Sequence, residues 1–105
     1  MSVPTLTADG SNRALLRGDL TLATVTPLAR RGCCLISAAE DSWTVDMSGV
    51  EQVSSAAVAL LLNWYRYCQQ RELTLSIVAM PERLRPILAI SDLQPLFEPL
   101  LTPSQ

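Results

Sequence analysis

The chain has 105 residues, 49% of them apolar and 17% charged, a balance that supports one self-sufficient core and leaves no room for a second. A formal charge of −2 and arginines scattered along the chain exclude the clustered cations that a phosphate-tracking surface needs, so nucleic acid is not an expected ligand. Without histidine, lysine or a CxxC pair, serine and cysteine lack an activating base and tetrahedral zinc lacks ligands, so neither an enzyme, a metal nor a cofactor is expected.

Aromatic residues make up only 5%, which makes the apolar excess aliphatic and leaves some of it available to face a partner. The opening MSVPTLTADG lacks the basic start and apolar stretch of a signal peptide, and a cytosolic location is the expectation. The apolar run Val53 to Trp64 falls short of the roughly 20 residues that cross a bilayer. Cys33, Cys34 and Cys68 are read as reduced thiols.

In chain order, alternation of apolar and polar residues predicts strands over Val3–Thr7 and Arg13–Leu20, joined as a hairpin across Asp9–Asn12. Val25, Leu28, Leu35, Ile36 and Ala39 recur at helical spacing and predict a helix over Thr24–Ala39, although Gly32 in its interior costs about 1 kcal/mol against alanine. Trp43–Met47 is short, β-branched and aromatic, hence a strand, and Ser48–Ser54 reads as a loop.

Ser55–Arg71 holds strong helix formers with no glycine or proline, and Leu73–Ala79 alternates as a strand. Pro81 suits the first position of a helix whose stripe is Leu84, Ile87, Leu88 and Ile90. Pro86 then requires either a kink or a later start, since proline in mid-helix costs about 3 kcal/mol. Leu93–Leu101 reads as a short helix or an apolar tail, and Thr102–Gln105 as a frayed end. The order predicts an α/β fold, a small mixed sheet with right-handed crossovers and helices mainly on one face.

The stretch from Val45 to Phe97, opening VDMSGVEQVSSAAVALLLNWYRYCQQ, resembles the core of a STAS domain, the sulfate transporter and anti-sigma factor antagonist family. The resemblance rests on a strand ending at Asp46-Met47-Ser48, Ser55 at the phosphoacceptor position, and the aliphatic helix to Leu62. It covers most of the chain from Arg13, with a core at about residues 13–98, and implies one STAS domain. Two positions depart from the family pattern. Ser54 stands where the family carries an aspartate, and Ala56 and Ala57 stand where a glycine is usual.

Among STAS proteins the short stand-alone form is similar to the MlaB group, cytosolic subunits of bacterial phospholipid-transporting ABC complexes. That likeness implies an adaptor that binds the transporter's ATPase, and through it the permease, at the inner membrane. The other reading is an anti-sigma factor antagonist switched by phosphorylation of Ser55.

Apolar residues surround the whole helix from Ala56 to Leu62, more than the stripe that a sheet-packed helix needs. Ser54, Ser55, Ala56, Ala57, Val58, Ala59 and Leu62 are therefore the candidate partner-binding residues, unless flanking elements cover the surplus. N-capping is the competing use of Ser54 or Ser55. For Asp46 it is bonding to the amides of its own turn, and for Trp64, Tyr65 and Tyr67 it is packing.

Overall fold

The structure is a computed structural model, which describes residues 3–102. Five strands form one sheet in the order β1-β2-β3-β4-β5, with β1 (Thr5–Ala8) antiparallel to β2 (Arg13–Asp19) and the rest parallel. Three crossovers build the parallel part. Helix α1 (Val25–Ser37) leads from β2 to β3 (Ser42–Gln52), and α2 (Ser55–Gln70) leads to β4 (Thr74–Val78). Helices α3 (Leu84–Ile90) and α4 (Gln94–Phe97), with a 3₁₀ turn over Glu98–Leu100, lead to the two-residue β5 (Leu101–Thr102).

The strands alternate, as a sheet covered on one face must. Leu16, Trp43, Val45, Met47, Leu75 and Ile77 are buried, whereas Arg13, Ser42, Thr44, Asp46 and Ser76 between them are half-exposed. Leu60, Leu61 and Trp64 of α2, Ile36 of α1, and Leu84, Leu88 and Phe97 of the C-terminal helices complete one core.

α1 and α2 lie side by side in the same direction, since Ala29 meets Trp64, Cys33 meets Asn63 and Ser37 meets Tyr67. The interior glycine of α1 has its explanation here. A side chain at Gly32 would overlap the Trp64 indole, whose Nε1 donates to the Ala29 carbonyl at 3.3 Å. Trp64 in turn meets Trp43 edge to face at 5.3 Å, so the absent Cβ lets two tryptophans stack into the core.

The hairpin forms across the expected turn, with the Asp9 amide donating to the Arg13 carbonyl at 2.8 Å. β3 is longer than predicted, because Gly49, Val50 and Gln52 continue to pair with Arg17, Gly18 and Asp19 after a bulge opposite Leu16, with a second register shift between Gly18 and Asp19. Tertiary pairing overrides a local sequence that reads as loop. α3 starts at Leu84 rather than Pro81, which places Pro86 in its first turn, where no intrahelical bond is lost. β5 went unpredicted, as a two-residue strand has no periodicity to detect. Residues 103–105 of the expected frayed end lie outside the described residues, while Thr102 pairs with Val78.

Cys68 is 1% exposed, and burial pushes its thiol up to about 11, helped by Cys33. Burial also raises Cys33 against the lowering bond from Asn63. Iodoacetamide at neutral pH is therefore expected to label exposed Cys34 in the native protein and to reach Cys68 only on unfolding, as peptide mapping will show. The unfolded chain ionises Cys68 first as pH rises, so Cys68 stability is intact below pH 9 and is lost toward pH 11. In urea titrations across that range, Cys68→Ala should flatten the decline.

Candidate functional site

Helix α2 begins where β3 leaves the sheet, and Ser54 makes the junction. Its backbone is extended, with φ −147° and ψ −177°, and its hydroxyl accepts from the Ala56 amide at 3.2 Å while donating to the Leu20 carbonyl at 3.3 Å. The capping use expected of one of the two serines falls to Ser54. The second bond gives the departure from the family aspartate a physical sense. A carboxylate cannot donate, and it would sit against the Leu20 carbonyl oxygen that the hydroxyl satisfies.

Ser55 is exposed at the first position of α2, and its side chain has no hydrogen bond among the described residues. The apolar surplus expected beyond it is smaller than the sequence indicated. Ala56, Ala57 and Val58 are 5%, 0% and 4% exposed, covered within the chain, and cannot form a docking surface in this conformation. Ala59 is exposed and Leu62 half-buried against the core, so of the seven candidates only Ser55 and Ala59 are exposed, with Leu62 partly accessible along the same edge of α2. Sequence reasoning missed the polar continuation of that edge. Asn63, Arg66 and Gln70 follow Ser55 and Ala59 at spacings of three and four, an outward stripe visible in the sequence once the inward face is known.

A profile described as Mlab, STAS domain, matches residues 7–102. The chain belongs to the STAS family. A search of curated proteins returns no match. Among solved structures, the phosphorylated form of the Bacillus cell fate determinant SpoIIAA superposes with a TM-score of 0.72 at 15% identity, covering 97% of this chain and 91% of that one. An anti-sigma factor antagonist from Mycobacterium paratuberculosis gives 0.72 at 13%, covering 99% and 86%. The STAS domain of a SulP transporter from Vibrio cholerae gives 0.63 at 13%, covering 93% and 77%. Identities this low carry the STAS fold and nothing finer. STAS domains are regulatory and binding domains that act on partner proteins, and no helix among the described residues is long and apolar enough to cross a membrane.

Asp46 does not join the serines. In this STAS fold it stands on the open face of the sheet, where one carboxylate oxygen accepts from the Ser48 amide at 2.8 Å and the other from Arg13 at 2.7 Å. The first bond satisfies the amide in the β3 bulge, which is the turn-stabilising use expected of it. Burial alone would raise its pKa, but the bonds from Ser48 and the charge of Arg13 hold it below the ordinary value of 3.8. The resulting stability is present above pH 3.8 and is lost as pH falls through the lower folded value. Asp46→Ala should cost about 1–2 kcal/mol at pH 7, given partial exposure of the pair, and the gap from wild type should close in urea titrations as pH falls below 3.8. Tyr65 packs against Phe97 at 6.3 Å and Tyr67 bonds Ser37 at 2.9 Å, so the aromatics of α2 pack and do not form a ligand cage.

Proposed function

We propose that this STAS domain is a non-enzymatic adaptor that binds the ATPase of an inner-membrane ABC transporter for phospholipid trafficking, and through it the permease. In this reading it lies in the cytoplasm, peripheral to the inner membrane, and supports outer-membrane lipid asymmetry. The observation that carries it is the match of the MlaB-type profile to residues 7–102. A second feature fits: Ser54 spends its hydroxyl on the cap and on Leu20, as a constitutive docking element needs no acid beside the phosphoacceptor. Docking is assigned to Ser55, Ala59 and Leu62, next to the start of α2.

Co-expression with an ABC ATPase and permease, followed by affinity purification, tests this. Ser55→Arg, Ala59→Arg and Leu62→Asp are each expected to weaken the complex by about 2 kcal/mol or more, roughly thirtyfold, the loss typical of a central interface residue. Circular dichroism controls for folding, which the two exposed positions should not disturb. Survival of the complex with all three substitutions places the interface elsewhere.

One observation favours a second reading, an anti-sigma factor antagonist. The Ser55 hydroxyl is exposed and unbonded at a helix start, where a phosphate would meet a favourable dipole of about 0.3–1 kcal/mol. Stoichiometric phosphorylation of Ser55 by an anti-sigma kinase and ATP would favour that reading over the adaptor.

A further inference from the structure

The charges of this chain are segregated. None of its ten acidic residues lies in α1 or α2, whereas Arg30, Arg31 and Arg66 do and Arg71 ends α2. Two of the four are engaged internally: Arg31 donates to the Leu6 carbonyl at 3.3 Å, and Arg71 lies 5.7 Å over the Tyr67 ring. Arg30 and Arg66 are exposed and make no ion pair or hydrogen bond among the described residues.

These two guanidinium groups belong to one surface. Arg30 lines an open groove of about 540 Å³ between α1 and α2, with Thr26, Ala29, Cys33, Cys34 and Asn63. Arg66 follows Asn63 by three residues on α2 and so stands on the same side one turn farther on. The groove floor is nearly apolar, since raised pKa values keep the Cys33 thiol protonated and Ala29 offers only a methyl group. It runs beside the outward edge of α2 already assigned to docking.

We propose that this groove receives an acidic amphipathic helix of a partner protein, its apolar side on Ala29 and Cys33 and its carboxylates on Arg30 and Arg66. Two parallel helices present a furrow into which the ridge of a third packs. Guanidinium groups suit carboxylates in particular, because their planar forks pair with both oxygens. A lipid surface fits less well. Binding there calls for large apolar side chains that insert, and the exposed ones, Val3, Leu22 and Ile90, include none on α1 or α2 that points outward with the arginines. The inference rests on the docking reading and adds the partner's charge and shape.

The test uses a fluorescein-labelled peptide of about four helical turns with leucines on one face and glutamates on the other, read by fluorescence anisotropy against the full chain. Saturable binding is expected, weakened at least about tenfold by Arg30→Glu with Arg66→Glu and by raising salt from about 0.05 to 0.5 M, and unchanged by the distant Arg83→Glu. The inference is overturned by absent binding, by equal binding of a lysine analogue of the peptide, or by indifference to the double substitution. It is also overturned if phosphatidylglycerol vesicles bind in an arginine-dependent way and the peptide does not. Arginine-dependent growth in mass with protein concentration would likewise replace the partner helix by a second copy. The peptide assay contains no ABC ATPase, so the groove can fail while co-purification succeeds, and the reverse.

Discussion

Trp64→Ala is expected to destabilise the domain by about 3–5 kcal/mol, close to the whole stability of many domains this size. The side chain is 0% exposed, touches Trp43 edge to face, and donates its indole proton to the Ala29 carbonyl, so truncation opens a cavity and removes a bond between the two helices. Neighbours cannot close that cavity, because Gly32 opposite has no side chain to move. Thermal unfolding followed by circular dichroism should show a fall of roughly 12–40 °C, at about 4–8 °C per kcal/mol. A fall of only a few degrees would mean that α1 and α2 do not meet around this ring.

Gly32→Ala sets two effects of opposite sign against each other. Helix propensity favours alanine by about 1 kcal/mol in the interior of α1. The added methyl group overlaps the Trp64 ring, which Trp43 and the core hold in place, and overpacking of this kind costs about 1–3 kcal/mol or more. The clash wins, and net destabilisation is expected where propensity alone predicts a gain. Trp64→Phe supplies the check, since the smaller ring makes room. In that background Gly32→Ala should recover more than about 1 kcal/mol in urea unfolding, a coupling that distant sites do not show. Equal effects in both backgrounds would assign the glycine to something other than this contact.

The elements most legible in the sequence were those whose pattern is set by burial of one face. Leu73–Ala79 alternates and became β4, and the glycine-free run from Ser55 became α2 within one residue of its expected end. Asp46 was legible as a turn-bonding carboxylate because the Asp-x-Ser pattern is local. What stayed hidden was set by distant residues. Continued pairing with β2 carried β3 on to Gln52, and packing of Trp64 against Gly32 turned a helix-weakening residue into a requirement. The candidate site shows the same division. The sequence located the serine pair and the apolar helix, but burial by neighbouring elements removed Ala56, Ala57 and Val58 from the surface. The outward stripe through Asn63 and Arg66 needed the inward face to be known first.

The short outer strands of the sheet bear on association between molecules at its edges. β3 at the centre has eleven residues, but β1 at one margin has four and β5 at the other only two. A strand from another molecule arriving at either margin finds few free backbone groups in register, too few to template growth of the sheet. Aggregation by edge-to-edge addition is thus discouraged at both ends of the ladder, and recognition is left to side chains on the helices, which can be tuned one at a time without lengthening the sheet.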